Sequence, residues 1–226
     1  MLNLTANLSM LWPEFLIAAL AFAVLTIDFF LPLKRKVILA VVALVGLVAV
    51  ICFSIAFLGS REAMSIYQGI VLVDQFSLFF KIVFLILGVL IILSSWEFVN
   101  RYIAHPGEYY GIVLFSILGM MFMASSAELL TAYIGLELLS FSLYILVSHR
   151  QEDPKSNEAG TKYILLGAFA SALFLYGVSM VYGVVVEQGI TAPTTFTGIH
   201  SYVNTQMLTT GTMPISFMVG VALILA

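Results

Sequence analysis

The sequence predicts an all-α fold, a polytopic bundle of transmembrane helices. Three observations predict it: the composition, the length of the apolar runs, and the unequal distribution of basic residues between alternate loops. Hydrophobic residues make up 62% of the 226 residues and charged residues only 9%, whereas a soluble domain has roughly 25% charged residues. We therefore expect an integral membrane protein. The few basic residues are scattered among apolar runs, so nothing indicates a nucleic-acid partner.

About seven apolar stretches of the chain are candidate membrane spans. Six of them are long enough to cross a bilayer, at 11–31, 37–58, 76–97, 109–126, 128–148 and 160–185. A seventh begins near Met213 and runs to Ala226, so about 5–10 further residues would be needed to complete it. We therefore expect the sequence to be a fragment of a longer protein. Residues 194–200, in the polar stretch before this span, are expected to form a short strand or an irregular loop.

The basic residues predict the orientation of the helices. The first, third and fifth connections contain six of them: Lys34, Arg35, Lys36, Arg101, Arg150 and Lys155. On the opposite side only Arg61 lies in a loop. Because loops rich in Lys and Arg stay in the cytoplasm, the sequence predicts that the N-terminus lies outside.

Ionisable residues near the ends of the spans have simple structural interpretations. Glu14, beside a proline, and Glu128 are expected to lie at the N-termini of the first and fifth helices, where carboxylates are favourable. Asp153, directly before a proline, is expected to cap the sixth helix. Lys81, inside the third span, is expected to extend its ammonium group towards the interface. Asp28 is expected to join an ion cluster with the basic residues that follow it.

Glu137 is the main candidate for a functional residue. It lies about 13–15 Å from either end of the fifth helix, near the middle of the hydrocarbon core. Tyr133, Ser140 and Tyr144 share its helical face and are supporting candidates that can hydrogen-bond the carboxylate or hold water beside it. Burial disfavours the charged form of a carboxyl group, so this position suits proton exchange. The alternative is a protonated Glu137 that only links two helices through a hydrogen bond.

Lys162 is the second candidate for proton translocation. It lies about 4 Å inside the cytoplasmic edge of the sixth span, whereas Glu137 lies about 16 Å inside that edge. We therefore expect no direct salt bridge between them, although a relay through water is possible. The alternative is that Lys162 extends to the membrane interface.

The sequence indicates no cofactor or metal site in this chain. It contains no glycine-rich phosphate loop and no HExxH motif, and Cys52 is its only cysteine. The histidines His105, His149 and His200 lie in connections without metal-ligand spacing. Any redox chemistry is therefore expected in other subunits.

Three stretches of the chain carry a family resemblance. They are Trp12-Pro13-Glu14 with the apolar span that ends at Asp28-Phe-Phe, the run from Glu108 to Ser140, and the run from Asn157 to Gly177. These stretches resemble the antiporter-like membrane subunits of respiratory complex I, the NADH–quinone oxidoreductase.

The resemblance implies a fold and an activity. The complete protein would have about fourteen helices with proton half-channels in inverted repeats. Residues 1–107 would be helices one to three, and residues 108–226 would be the first, incomplete part of the proton-translocating repeat. Glu137 falls on the family's essential glutamate of the fifth span, and Lys162 matches a lysine at the head of the sixth.

By the same resemblance, protons would cross through a Glu/Lys relay coupled to electron transfer elsewhere in the complex. NADH, FMN, iron–sulfur clusters and quinone would be bound by partner subunits, and the partners would be other membrane-arm subunits. The location would be a bacterial plasma membrane. The family's lysine in the seventh span would lie beyond Ala226.

Two other functions remain open from the sequence. The first is a subunit of a multi-subunit cation/proton antiporter, which would share Glu137 and Lys162 and be driven by ion gradients. The second is a structural membrane subunit without an ion path, in which Glu137 only fixes helix packing.

Overall fold

The computed structural model describes residues 8–31, 37–58 and 64–226, and within these ranges the chain is predominantly helical. The helices are α1 Trp12–Phe30, α2 Val37–Leu58, α3 Gln75–Tyr102, α4 Pro106–Ser125, α5 Leu129–Val147, α6 Pro154–Glu187, α7 Phe196–Thr209 and α8 Ile215–Leu225. Helices α1 to α6 are long and apolar enough to cross a membrane. The predicted all-α transmembrane fold is therefore confirmed.

Helices α3 and α6 extend beyond the apolar runs that predicted them. In α3, the Asp74 carboxylate accepts a hydrogen bond from the Ser77 amide, and the Ser77 hydroxyl accepts one from the Asp74 amide, which forms a capping box. In α6, Asp153 caps the first turn at the Lys155 amide and a proline follows it, as predicted. With 34 residues, α6 is about 50 Å long, so it projects beyond a hydrocarbon core roughly 30 Å thick.

A small antiparallel hairpin that the sequence analysis did not predict lies between α2 and α3. Strands β1 Met64–Ile66 and β2 Val71–Val73 are joined by a short 3-10 turn. In that turn Gly69 has φ of +93°, a conformation that side chains with a Cβ rarely adopt. The strands are only three residues long, too short for an alternating pattern to stand out in the sequence.

The prediction of a strand or loop around residues 194–200 was wrong. This segment begins α7, and Thr195 caps the helix by accepting a hydrogen bond from the Gly198 amide at 3.1 Å. One face of α7 is buried through Tyr202 and Gln206. The threonine-rich composition that suggested a loop therefore provides a helix cap and a polar outer face.

Helix α4 is the centre of the bundle. It packs against α1, α2, α3 and α5, and its side chains Leu114, Ile117 and Met121 are completely buried. Helices α5 and α6 leave most of their apolar surface exposed. Helix α6 meets α8 at a backbone contact between Gly177 and Gly220, where small residues let two membrane helices approach closely.

The predicted orientation rests partly on residues outside the described ranges, namely Lys34 to Lys36 and Arg61. Of the other residues, Arg101 lies in the last turn of α3. Arg150 lies between α5 and α6, and Lys155 lies at the start of α6. These three share one end of the bundle, and the assignment of that end to the cytoplasm stays a prediction.

Candidate functional site

Glu137 lies near the middle of α5, where that helix touches α4 most closely. A Cβ atom added to Gly119 of α4 would lie 2.7 Å from the carbonyl oxygen of Gly135, and one added to Gly135 would lie 3.0 Å from the Gly119 oxygen. The two backbones are thus in contact two residues before Glu137. This contact fixes the depth and rotation of the helix that carries the carboxylate.

The Glu137 carboxylate is half-buried and has an unsatisfied oxygen. Its Oε1 atom is closed off from solvent and accepts no hydrogen bond from any described residue. Tyr133, one turn earlier, interacts electrostatically with the carboxylate, and its ring stacks on Phe174 of α6 at 5.6 Å. A buried, unpaired carboxylate oxygen is costly, and taking up a proton relieves that cost.

The supporting residues that share the helical face of Glu137 lie along the α5–α6 interface. Tyr144 is 6% exposed, and its hydroxyl occupies the space that a side chain on Gly167 would need. Its ring also contacts Tyr163 of α6 edge-on at 4.8 Å. Ser140 is partly buried on the turn between Glu137 and Tyr144. This face of α5 therefore lies towards α6, although no described hydrogen bond joins Ser140 or Tyr144 to Glu137.

Lys162 lies apart from Glu137. Its side chain is 69% exposed and forms an ion pair with Glu158 one turn earlier on α6. Among the described residues no ion pair joins Glu137 and Lys162.

Lys81 and Glu14 form a buried ion pair that the sequence analysis missed. Lys81 Nζ lies 2.7 Å from Glu14 Oε1, and the two side chains are 0% and 1% exposed. The prediction that Lys81 extends to the interface was therefore wrong. Glu14 lies in the first turn of α1, as predicted, but its side chain pairs with Lys81 and does not cap the helix. The contact lacks hydrogen-bond geometry. Neither the two carboxylate oxygens of Glu14 nor the Lys81 Nζ atom has a hydrogen-bond partner among the described residues.

This ion pair lies between two apolar clusters. Met10, Leu11 and Leu78, with residues of the hairpin, form the cluster on the terminal side of the pair. On the inner side, Ile17 and Leu85 belong to the main core around α4. Because apolar side chains enclose the pair on both sides, each charge depends on the other for stabilisation.

A signal for this pair was present in the sequence. Glu14 and Lys81 have opposite charges, and each lies near the start of a span that enters the membrane from the same side. Helix periodicity within one span does not show which residue of another span it meets. The pairing therefore depends on the way α1 and α3 both pack against α2 and α4.

At the N-terminus of α5, Glu128 connects this helix to α7. Glu128 is the N-cap residue, as predicted, but its side chain does not cap the helix. It accepts hydrogen bonds from the hydroxyls of Thr194 and Thr131. The Leu129 amide donates to the Thr194 carbonyl oxygen at 3.0 Å, and the Ala127 amide donates to Ile70 at 2.9 Å. The connection between α4 and α5 is thus bound to the hairpin and to α7.

Asp28 lies at the opposite end of the bundle, against the first turn of α4. It is 8% exposed, and a Cβ atom on Gly107 would lie 2.2 Å from the Asp28 Cβ. A carboxylate at this position is favoured by the dipole of α4. The basic residues with which Asp28 was expected to cluster lie outside the described ranges.

The described residues contain no group of three or more His, Cys, Asp or Glu side chains that could hold a metal ion. A half-buried carboxylate such as that of Glu137 is a group that can exchange a proton. The charged pair of Glu14 and Lys81 is separate from that carboxylate in the bundle.

Comparisons with known proteins agree with this architecture. The family described as NADH:quinone oxidoreductase/Mrp antiporter, transmembrane, matches residues 126–226. NADH-quinone oxidoreductase subunit N from Trichlorobacter lovleyi is 38% identical over 180 residues, which are 80% of this chain and 37% of that protein. The subunit N from Desulfitobacterium hafniense is 39% identical over 179 residues, which are 78% of this chain and 36% of that protein.

Two solved structures share the fold. Respiratory complex I from Thermus thermophilus contains a chain with a TM-score of 0.67 and 26% identity, covering 94% of this chain and 42% of that chain. The membrane-bound sulfane sulfur reductase, an archaeal respiratory membrane complex, contains a chain with a TM-score of 0.73 and 21% identity. The match covers 96% of this chain and 43% of that chain. The chain thus spans well under half the length of these relatives. Residues 126–226 place this part of the chain in the NADH:quinone oxidoreductase/Mrp antiporter family of membrane proteins, and the similarity to subunit N extends over about four-fifths of the chain.

Proposed function

We propose that this chain is part of a membrane-arm subunit of a proton-pumping NADH–quinone oxidoreductase. The relatives named subunit N support this proposal, because they are 38–39% identical over about four-fifths of the chain. Residues 1–107 would contribute the first three helices and residues 108–226 the first part of the proton-translocating repeat. The partners would be other membrane-arm subunits of the complex. NADH, FMN, iron–sulfur clusters and quinone would be bound by partner subunits.

We further propose a bacterial plasma membrane as the location, with the N-terminus outside. The bacterial sources of the relatives support this membrane. The distribution of basic residues supports the orientation. In that orientation the start of α4 and the end of α5 lie at the cytoplasmic face.

The observation that carries the proposal is the state of Glu137. A carboxylate in the middle of a membrane-spanning helix, with Oε1 buried and unbonded, is costly to keep charged. A proton reaching Glu137 neutralises the carboxylate, and a nearby shift of charge in the complex would change its proton affinity. Tyr133 and Ser140 would position the carboxyl group and water beside it.

Lys162 and Tyr144 would act on the cytoplasmic side of Glu137. Tyr144 lies two turns from Glu137 on the same face of α5, and its hydroxyl lies against α6. Lys162 lies near the start of α6, where its ion pair with Glu158 would have to open for Lys162 to take part in a relay. A chain of water molecules would connect these groups to Glu137, since no described side chain bridges them.

A subunit of a multi-subunit cation/proton antiporter is the second candidate. The matching family includes Mrp antiporters in its description, and the same buried Glu137 would serve such a transporter. The names of the relatives favour the oxidoreductase. Proton pumping that depends on NADH oxidation, and that persists when Na⁺ is omitted, would separate the two.

The test uses full-length protein carrying Glu137→Gln in the assembled complex in membrane vesicles. Proton pumping and NADH-driven quinone reduction are measured together, with Glu97→Gln as the matched control because Glu97 is an exposed carboxylate of α3. We expect both activities to collapse in Glu137→Gln while assembly is retained, and to persist in Glu97→Gln. Activities of Glu137→Gln close to those of the unmodified complex would overturn the proposal.

A further inference from the structure

Two histidines that are far apart in the sequence meet at one cavity. The cavity has a volume of about 330 Å³ and lies between the α3–α4 connection and the α5–α6 connection. Its titratable lining includes two imidazoles and two carboxylates, from His105, Glu108, His149 and Glu152. Both histidines had been expected only to lie in connections without metal-ligand spacing.

The imidazole of His149 is the most enclosed of these groups. It is half-buried, and its ring packs edge-on against Tyr109 at 5.8 Å. Burial lowers the pKa of His149, the Glu108 carboxylate raises it, and His105 lowers it further. Glu108 and His105 are therefore close enough to influence the protonation of His149.

Other charged groups at this end of the described chain are Asp28, Arg101, Arg150, Asp153, Lys155 and Glu158. Arg150 also lines the cavity, and its positive charge repels cations there. Its guanidinium is, however, engaged by Asp153 at 3.5 Å and by the Tyr102 ring at 5.4 Å. The carboxylates of Glu108 and Glu152 thus remain to attract protons into the cavity.

We propose that the cavity of His105, Glu108, His149 and Glu152 is a proton-collecting site, which binds protons from water and delivers them towards Glu137. This inference rests on the proposed function. An imidazole nitrogen takes a proton from hydronium, which leaves water, and becomes imidazolium. It returns to the neutral form when it passes that proton to the next group. Histidine suits this step because its ordinary pKa lies close to physiological pH.

A second cavity provides the direction of delivery. It has a volume of about 360 Å³ between α5 and α6, and its polar lining comes from Tyr144, Ser148, Asn157 and Thr161. Ser148, which lines the second cavity, directly precedes His149, which lines the first, so neighbouring residues line both cavities. Tyr144 lies at its inner part, two turns from Glu137 on the same helical face.

A metal ion is a poorer fit than a proton for this cavity. No three His, Cys, Asp or Glu side chains of the described residues are arranged to hold a metal ion. Proton collection requires only groups of suitable proton affinity beside water. Such groups increase the rate of proton capture, so their removal should lower that rate most when the medium contains little mobile buffer.

The test compares proton uptake in weakly buffered medium with uptake in medium containing imidazole. Inside-out vesicles carrying the assembled complex expose this face to the medium in the proposed orientation. For His105→Gln/His149→Gln we expect uptake in weak buffer to fall about tenfold, at the lower end of the gain that charged clefts give to association rates. Added imidazole should restore it, because a mobile buffer replaces the missing imidazoles.

Two further variants make the result decisive. The control His200→Gln removes an exposed histidine of α7 at the other end of the bundle, and we expect it to behave like the unmodified complex in both media. Glu108→Gln/Glu152→Gln, which keeps both imidazoles, should show the same buffer-dependent loss and also tests the site if the histidine variant fails to assemble. Uptake that is unchanged in weak buffer, or a loss that imidazole does not restore, would overturn the proton-collecting site.

The outcome for Glu137→Gln separates this inference from the proposed function. Its loss of pumping should persist in imidazole, because the missing carboxyl group is inside the membrane. If Glu137→Gln fails to pump while the histidine variant is normal, only the proton-collecting site is wrong. If Glu137→Gln pumps normally, the proposed function itself is wrong.

Discussion

Lys81 and Glu14 form an ion pair between α3 and α1 in which Nζ and Oε1 are 2.7 Å apart and neither side chain is accessible to more than 1%. Two charges removed from solvent lose several kcal/mol each in solvation, and their mutual attraction offsets this loss only while both are present. The pair therefore links α1 to α3 through its side chains and makes each residue dependent on the other.

The first prediction concerns this mutual dependence. Lys81→Met leaves the Glu14 carboxylate buried without a cation, so we expect a loss of about 3–5 kcal/mol in stability. The double variant Glu14→Leu/Lys81→Met removes both charges and should restore most of that stability. Heat denaturation of the solubilised full-length protein measures both effects. If the double variant is as unstable as Lys81→Met, the ion pair stabilises the fold by more than the mutual compensation of its two charges.

The second prediction concerns the contact between α4 and α5. A methyl group at Gly119 would meet the Gly135 carbonyl oxygen and the Leu139 amide at 2.7 Å, and backbone atoms cannot give way without moving a helix. We expect Gly119→Ala to lower the stability by about 1–3 kcal/mol and to reduce proton pumping, because α5 carries Glu137.

Gly183→Ala is the matched control for Gly119→Ala. Gly183 lies in α6, and nothing described lies within 4 Å of the position of a Cβ atom there. Alanine has a higher helix propensity than glycine, so this variant should be as stable as the unmodified protein or slightly more stable. Equal behaviour of the two alanine variants in denaturation and pumping assays would contradict the proposed importance of the contact between α4 and α5.

The membrane-spanning helices could be predicted from the sequence because long apolar runs signal a span whatever surrounds it. Glu137 could be identified for the same reason, since one carboxylate in such a run stands out. The helix caps Asp74 and Thr195 are local features, but the polar segments around them obscured where α3 and α7 begin. Local composition therefore predicts a span better than it predicts the first turn of a helix.

Contacts between distant segments could not be predicted in this way. The pairing of Glu14 with Lys81, and the meeting of His105 with His149, depend on which helices pack together. Periodicity indicates the face of a helix that is buried but does not identify its neighbour. The hairpin and its bridge from Val71 to Ser126 likewise depend on the arrangement of the surrounding helices.

The third prediction concerns the link between Glu128 and α7. Thr194→Val removes the hydroxyl that donates to the Glu128 carboxylate, and a hydrogen bond to a charged group contributes about 1.5–3 kcal/mol. We expect hydrogen exchange of the α7 amides to accelerate while that of α4 stays unchanged. Thr209→Val is the control, because the Thr209 hydroxyl donates to Thr205 within the same helix. Unchanged exchange in Thr194→Val would show that the backbone contacts alone hold α7.

The last prediction concerns the pH dependence of stability at His149. Burial lowers the pKa of His149 below its ordinary value of 6.5, so the folded protein holds this imidazole neutral at a pH where the unfolded chain protonates it. Stability is therefore lost as the pH falls through 6.5, with a slope of at most about 1.4 kcal/mol per pH unit for one proton. Heat denaturation from pH 8 to about pH 5 should show a shallower decline in His149→Gln than in the unmodified protein. His200→Gln, on the exposed face of α7, should leave the decline unchanged, and parallel curves for all three proteins would contradict the buried, neutral state of His149.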